Sequence, residues 1–180
     1  MSRTVKKGLV LWTLILILVF TCACGPANNS DFTDLSVREA TGTNGVVASA
    51  SAYASKAGLE ILEAGGNAFD AAVAVAFALG VVEPNASGVG GGGIMVAFDA
   101  SNGSYYNYNF REFVPKKGDA ATYGSNEAMD HGITAVGVPT EVAGLTKIHQ
   151  ERGSGKLTLA QVLAPAIRYA EEGFTIEATL

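Results

Sequence analysis

A glycine-rich loop is the first part of the sequence whose residue types could bind a ligand. It lies within EPNASGVGGGGIMVAFD, from Glu83 to Asp99, and Gly88, Gly90 and Gly93 match the spacing G-x-G-x-x-G. A dinucleotide-binding loop needs that spacing between a strand and a helix, because the helix N-terminus receives the pyrophosphate. Here a helix pattern precedes the loop, a strand pattern follows it, and no lysine is present for a P-loop. We therefore expect the glycines to let backbone, or a ligand, approach closely at the mouth of a sheet.

Arg111 is the second candidate, because a guanidinium grips a carboxylate through a planar fork of donors. It follows a strand pattern and lies between two aromatic residues, Phe110 and Phe113. From the residues alone, a surface arginine paired with Glu112 is the favoured interpretation, and such a pair contributes little to stability. The alternative is a clamp for the carboxylate of a ligand.

Other side chains of nucleophilic or metal-binding types are scattered along the chain. They are Thr134, Thr140, Ser154, His131 and His149. No His-x-x-x-His or Cys–His spacing predicts a metal site, and a lone surface histidine usually has no catalytic role. We assign no catalytic residue in this chain, and we expect no metal and no other cofactor.

Two helix patterns precede the glycine-rich loop. Ser51–Ala64 carries apolar residues at helical spacing, and Gly65-Gly66 ends it. Asn67 is the predicted N-cap of a second helix, Ala68–Gly80, with Asp70 in its first turn. After Asp70 this helix has no polar side chain, which predicts that it is packed on most sides. Thirteen residues are too few for a membrane span.

Two strands are predicted after the loop, Ile94–Asp99 and Ser104–Phe110, joined by a hairpin turn at Ser101–Gly103. Gly45–Ala50 is predicted to form a further short strand. In the second hairpin strand, three aromatic residues share one face, Tyr106, Tyr108 and Phe110. The buried face of a sheet is the favoured interpretation of this row, and a stacking platform for a ligand is the alternative.

Two more helices complete the pattern, Glu141–Glu151 and Leu159–Glu172. Thr140 is a plausible N-cap for the first, and Thr158 with Gln161 forms a capping-box pattern for the second. Pro165 is expected to kink or split the second helix. The mixture of helices with a hairpin predicts an α+β fold, and its apolar helix and sparse strands suggest that part of the fold is missing.

The N-terminal 23 residues predict an export signal. Three basic residues precede Gly8–Phe20, an apolar run of 13 residues that is short for a membrane span and typical of a signal peptide. The small residues that lead into Cys24 resemble a bacterial lipobox, with cleavage before Cys24 and a lipid on its thiol, although Thr21 is not the usual leucine or valine. The alternative is an ordinary secretory signal with two incidental cysteines.

The signal divides the chain into residues 1–23, a polar tether at 24–44 and a folded part at 45–180. We expect an exported, membrane-anchored lipoprotein that faces the periplasm or the cell exterior and touches the membrane through its lipid only. Removal of the signal lowers the basic residues from 12 to 9 against 17 acidic ones, a net charge of −8. This charge argues against nucleic acid as a partner.

Four segments follow one another in an order that composition alone would not produce. They read GGNAFDAAVAVAFALGVVEPNASGVGGGGIMVAFD, NFRE (Asn109–Glu112), GVPTEVAGL and LTLAQVLAPAIRYAEEGF. Together they resemble the N-terminal part of the large subunit of γ-glutamyltranspeptidases, also called glutathione hydrolases. The resemblance extends from about Gly45 to the end of the chain.

The resemblance implies part of an N-terminal-nucleophile hydrolase, an αββα sandwich that is incomplete in this chain. A precursor of this family cuts itself into a large and a small subunit, and the threonine freed at the start of the small subunit attacks glutathione or a related γ-glutamyl amide. The acyl-enzyme passes the γ-glutamyl group to water, an amino acid or a peptide. By this resemblance the threonine, the oxyanion hole and the residues that hold the α-amino group lie beyond Leu180. The 180-residue chain alone is therefore expected to be inactive.

The resemblance also implies a role for Arg111, which matches the arginine that holds the α-carboxylate of the γ-glutamyl donor. Two residues depart from the family pattern. Asn109 stands where aspartate is common, and Thr140 stands where glycine is frequent, so that a positive φ there would be strained. Two alternatives remain open, a cephalosporin-type acylase of the same fold and a catalytically dead, lipid-anchored protein that binds γ-glutamyl compounds.

Overall fold

The computed structural model describes residues 39–124 and 129–176, which belong to one compact unit of the chain. The signal segment, Cys24 and the first part of the tether lie outside these residues. The elements in chain order are helices α1 (Ala52–Glu63) and α2 (Ala68–Val82), strands β1 (Gly93–Asp99) and β2 (Ser104–Phe110), the short helix α3 (Ala120–Tyr123), a 3-10 turn (Ile133–Ala135), and helices α4 (Glu141–Arg152) and α5 (Leu159–Glu172). The long helices and the hairpin confirm the predictions, with ends within two residues of those expected.

Helix α2 lies at the centre of the core. The Asn67 side chain accepts the N–H groups of Phe69 and Asp70 at 3.0 Å, and Asp70 accepts the N–H of Asn67 at 3.1 Å, which completes a capping box. Helices α1, α4 and α5 pack around α2 and bury its side chains on several sides, among them Val73, Ala74, Phe77 and Ala78. Each large apolar side chain removed from water in this way contributes about 1.5–3 kcal/mol. The prediction of a helix packed on most sides is confirmed.

Helix α5 begins as predicted and continues through its proline. The N–H of Gln161 donates to Thr158 Oγ1 at 3.3 Å, and the N–H of Thr158 donates to Gln161 Oε1 at 2.9 Å. The expectation that Pro165 could split this helix is wrong, because one helix runs from Leu159 to Glu172 with Pro165 buried. Its neighbours on the same face, Val162, Ala166 and Tyr169, are buried with it, and their packing outweighs the lost backbone hydrogen bond.

Strands β1 and β2 form an antiparallel hairpin whose register runs from Gly93 opposite Phe110 to Asp99 opposite Ser104. One face packs against the helical core and includes the aromatic row Tyr106, Tyr108 and Phe110. The ring of Tyr106 meets Phe69 of α2 edge-on, with 6.4 Å between centroids. The favoured interpretation of the row as an inward face is therefore confirmed.

The outer face of the hairpin is exposed, with apolar side chains on β1 and asparagines on β2. Ile94, Val96 and Phe98 of β1 are 60%, 71% and 54% exposed. Helices thus cover one face of the hairpin and leave the other open, as expected for part of a layered α+β fold. Within residues 39–124 and 129–176, none of the helices combines the length and the apolar character that crossing a bilayer requires.

The predicted strand at Gly45–Ala50 is wrong, since no strand is assigned there. The segment instead packs on α1, where a Cβ placed on Gly58 would lie 2.9 Å from a methyl carbon of Val47. A run of six small and apolar residues forms a strand only if a partner strand lies alongside it, and the described hairpin pairs with itself.

Candidate functional site

An open cleft with a volume of about 740 Å³ lies at the end of the hairpin nearest α4. The glycine-rich loop forms one wall, and residues that follow β2 and begin α4 form the other. Its charged lining residues are Arg111, Glu112 and Glu141. The cleft is open, and its lining combines apolar residues of β1 and Leu145 with these charged side chains.

The glycine-rich loop packs against the end of β2 and the start of α4. A Cβ placed on Gly92 would lie 2.4 Å from the carbonyl oxygen of Phe110 and 2.9 Å from the backbone nitrogen of Glu112. Only glycine allows two backbone segments to come so near. The carbonyl of Gly91 accepts the N–H groups of Thr140 and Glu141 at 2.9 and 3.0 Å. The prediction of close backbone approach is confirmed at Gly92.

The start of α4 is not arranged like the phosphate site of a dinucleotide fold. Such a site needs free N–H groups at a helix N-terminus. Here the N–H groups of Thr140 and Glu141 already donate to Gly91. The loop also stands between α2 and β1, the reverse of the order that a dinucleotide site requires.

Arg111 lies at the rim of the cleft, directly after β2. Its Nη2 is 3.1 Å from Glu112 Oε2, and its side chain is 60% exposed. Its backbone N–H donates to Asn109 Oδ1 at 3.1 Å, so the amide oxygen of Asn109 can hold this turn without the charge of an aspartate. Arg111 therefore forms the ion pair with Glu112 that the residues alone favoured, and it also lines the cleft. An exposed ion pair costs little to rearrange, which leaves the guanidinium available to a carboxylate ligand.

Glu141 is a cleft residue that the sequence analysis saw only as the start of a helix. Burial raises the pKa of its carboxyl above the usual value of 4.5, and the neighbouring charge of Glu112 raises it further. Among the residues that the structure describes, no cation pairs with Glu141. In the sequence, nothing distinguishes Glu141 from an ordinary acidic residue in the first turn of a helix.

Thr140 is the N-cap residue of α4, as predicted, although its side chain is used differently from a usual cap. Its φ is −134°, outside the left-handed region, so the expected backbone strain is absent. It occupies the N-cap position of α4, but its side chain makes no capping hydrogen bond. The hydroxyl donates instead to the carbonyl oxygen of Phe110 at the end of β2.

His149 and Ser154 belong to a second polar cluster, outside the lining of the cleft. The description of His149 as a surface histidine is wrong, since its side chain is 11% exposed and its Nδ1 lies 3.0 Å from Oδ1 of the fully buried Asp70. Asp70 Oδ2 also accepts the N–H of Ser154 at 2.9 Å. Burial alone would raise the pKa of Asp70, but hydrogen bonds from Ser154, Asn67 and His149 outweigh burial and lower it. This cluster joins the start of α2 to the end of α4, and His131 and Thr134 also lie outside the cleft lining.

The comparison with known families decides the assignment. The family model for γ-glutamyltranspeptidase matches residues 54–180. The chain belongs to the γ-glutamyltranspeptidase family. A curated relative, the glutathione hydrolase proenzyme of Pseudomonas aeruginosa, is 41% identical over 143 residues, which cover 76% of this chain and 25% of the relative.

Solved structures of γ-glutamyltranspeptidase relatives support the same fold. The γ-glutamyltranspeptidase of Helicobacter pylori has a TM-score of 0.72 at 37% identity, over 78% of this chain and 41% of that chain. The cephalosporin acylase of Bacillus halodurans has a TM-score of 0.59 at 35% identity, over 70% of this chain and 24% of that chain. The prediction of part of an N-terminal-nucleophile hydrolase fold is confirmed. The chain spans about a quarter of the length of the curated γ-glutamyltranspeptidase relatives that it matches.

Proposed function

We propose that the protein that carries this chain hydrolyses glutathione and related γ-glutamyl amides and transfers their γ-glutamyl group to an acceptor amino acid or peptide. One observation of the site carries the proposal. Arg111 places a largely exposed guanidinium at the rim of a cleft of about 740 Å³, beside the glycine-rich loop. The names of the curated relatives support the same activity.

Arg111 is the proposed clamp for the α-carboxylate of the γ-glutamyl donor. A guanidinium can hold a carboxylate through two parallel hydrogen bonds, which fixes its orientation as well as its position. The ion pair of Arg111 with Glu112, at 3.1 Å, is weak enough for the donor carboxylate to compete for the guanidinium. With the carboxylate held here, the γ-amide of the donor can extend along the cleft.

The nucleophile of the proposed reaction is the threonine at the start of the small subunit, in a part of the protein beyond Leu180. A threonine hydroxyl attacks only when a base takes its proton, and the free amine of the same residue can be that base. The acyl-enzyme then gives its γ-glutamyl group to water or to an acceptor amine. The 180-residue chain alone is therefore predicted to be inactive.

The small subunit from the same precursor is the proposed partner of the exposed hairpin face. Ile94, Val96 and Phe98 place three large apolar side chains on this face, each more than half exposed. A second sheet packed against them would remove that surface from water and complete the αββα sandwich. The acceptor site and the recognition of the leaving group are assigned to that subunit.

Replacement of Arg111 tests the proposed clamp. In the full-length protein, Arg111→Ala is expected to raise KM for γ-glutamyl-p-nitroanilide by roughly tenfold to a hundredfold, the range that the loss of hydrogen bonds to a charged group produces. Arg168→Ala is the matched control, because Arg168 pairs with Glu60 at 2.8 Å outside the cleft lining. Unchanged KM and kcat in Arg111→Ala would show that another residue holds the carboxylate.

The same assay separates the alternatives. The curated relatives of Pseudomonas aeruginosa and Bacillus subtilis are named glutathione hydrolase proenzymes, which favours glutathione hydrolysis. Turnover of a cephalosporin side-chain amide without turnover of the γ-glutamyl anilide would favour the acylase activity instead. Binding of L-glutamate without any turnover would indicate a protein that has lost catalysis.

Cys24 is the proposed lipid anchor of an exported protein that faces the periplasm or the cell exterior. The support is the apolar run Gly8–Phe20 and the small residues before Cys24. Cys24→Ala is expected to move the protein out of the membrane fraction, and the mass of the mature N-terminal peptide should show the lipid. A mature N-terminus elsewhere, without lipid, would mean an ordinary secretory signal.

A further inference from the structure

The hydroxyl of Thr140 makes a contact that an N-cap residue does not usually make. A threonine at this position normally accepts a hydrogen bond from the second or third N–H of its helix, which stabilises the helix by roughly 0.5–2 kcal/mol. Thr140 makes no such bond. It donates to the carbonyl oxygen of Phe110, while its N–H donates to the carbonyl of Gly91 at 2.9 Å.

The hydrogen bond from Thr140 to Phe110 lies at the end of the hairpin, beyond which strand pairing no longer constrains the backbone. The strand ladder ends with Gly93 opposite Phe110, so no strand pairing fixes the direction of Arg111. The segment that precedes α4 supplies two anchors on either side of Arg111. Thr140 holds Phe110 on one side, and on the other the N–H of Val138 donates to the carbonyl of Phe113 at 2.9 Å.

We propose that Thr140 is a positioning residue for Arg111, whose hydroxyl fixes the end of β2 and so holds the guanidinium at the rim of the cleft. The inference rests on the proposed function, in which Arg111 binds the α-carboxylate of the donor. Arg111 and Glu112 then form a two-residue span between anchors at Phe110 and Phe113. A side chain on such a short span has little freedom to leave the cleft, and its preorganisation favours donor binding.

The crowding around Gly92 shows how tightly this arrangement is held. A Cβ on Gly92 would lie 2.9 Å from Thr140 Oγ1 and 2.4 Å from the Phe110 carbonyl oxygen. The glycine-rich loop, the end of β2 and the start of α4 therefore meet at the Thr140 hydroxyl. Removal of the hydroxyl alone frees the Phe110 carbonyl while it leaves the backbone bonds to Gly91 in place.

Matched variants of the full-length protein test this role. Thr140→Val removes the hydroxyl with little change of shape, and Thr140→Ser keeps it. Thr158→Val is the control, because the Thr158 hydroxyl caps α5 outside the cleft lining. We expect Thr140→Val to raise KM for γ-glutamyl-p-nitroanilide about three- to tenfold, the effect of one hydrogen bond, with kcat within about twofold.

The other variants separate positioning from general loss of stability. Thr140→Ser should restore KM to within about twofold of the wild type, and Thr158→Val should lower the melting temperature while KM stays unchanged. In an Arg111→Ala background, Thr140→Val should raise KM no further, because the two residues act through one contact.

Two results would overturn the proposal. One is an unchanged KM in Thr140→Val, and the other is a KM increase that persists in full when Arg111 is already alanine. A wild-type protein without γ-glutamyl turnover would instead overturn the proposed function. The comparison of Thr140→Val with Thr140→Ser would then use the Kd of L-glutamate, so that the positioning role is decided separately.

Discussion

The contact between Gly92 and the end of β2 predicts that alanine is tolerated unequally along the glycine-rich loop. Gly92→Ala would place a Cβ 2.4 Å from the carbonyl oxygen of Phe110 and 2.9 Å from the backbone nitrogen of Glu112. Neither atom belongs to a flexible side chain that could turn away. Gly88→Ala and Gly90→Ala would meet no atom within 4 Å, and neither glycine has a left-handed φ.

The loss of stability in Gly92→Ala can be estimated from the displacement that the new Cβ forces on the end of β2. Overpacking of a well-packed site costs about 1–3 kcal/mol, and separation of Phe110 from Gly92 also threatens the hydrogen bond from Thr140, worth about 1 kcal/mol. We therefore expect Gly92→Ala to lower the free energy of unfolding by roughly 2–4 kcal/mol. Gly88→Ala and Gly90→Ala should leave it unchanged or raise it by up to about 1 kcal/mol, because alanine restricts the unfolded chain.

Urea unfolding of the full-length protein, followed by far-UV circular dichroism, measures these differences. Donor KM measured on the same samples shows whether a tolerated alanine obstructs the cleft, which Gly88 and Gly90 also line. Equal losses of stability at Gly88, Gly90 and Gly92 would refute the reasoning, since only Gly92 of these three is crowded. Wild-type stability of Gly92→Ala would refute it as well.

Two further predictions concern carboxyl groups with shifted pKa values. Asp70→Asn should lower the free energy of unfolding by roughly 1.5–3 kcal/mol at neutral pH. This loss should shrink as the pH falls below 3.8, because the lowered pKa means that the fold favours the ionised form of Asp70 and gains nothing from the protonated form. A loss that does not change with pH in urea unfolding would contradict this. Glu141→Gln should raise the melting temperature near neutral pH and not below 4.5, because burial penalises ionised Glu141. A lower melting temperature at pH 7 would mean that the charge of Glu141 stabilises the fold.

Local structure in this chain could be predicted because its signals lie close together in the sequence. The capping box of Asn67 and Asp70 joins residues three positions apart, and the hairpin turn needs only Ser101–Gly103. The apolar run of α2 predicts that this helix is buried, regardless of which elements pack against it. The predicted strand at Gly45–Ala50 is wrong because a strand depends on a distant signal: it needs a partner strand, which its own residues do not specify.

The candidate site was predictable only in part. Arg111 was recognised from the segment NFRE, but the residues alone favoured an ion pair with Glu112, and the structure contains that pair as well as the cleft. Glu141 was not recognised, because nothing near it in the sequence indicates that the glycine-rich loop will lie beside it. The raised pKa of Glu141 depends on burial and on Glu112, 29 residues away in the chain.

The sequence by itself determined the family, the order of helices and strands, and the inward face of the hairpin, because each depends on short-range patterns or on motifs in series. The tertiary structure decided which polar groups meet. His149 forms a hydrogen bond with Asp70, 79 positions away in the chain. The Thr140 hydroxyl donates to Phe110, 30 positions away, and makes no capping bond to its own helix. A hydroxyl or an imidazole can form its hydrogen bond with any partner that packing brings within about 3 Å, so the choice of partner belongs to the packed fold.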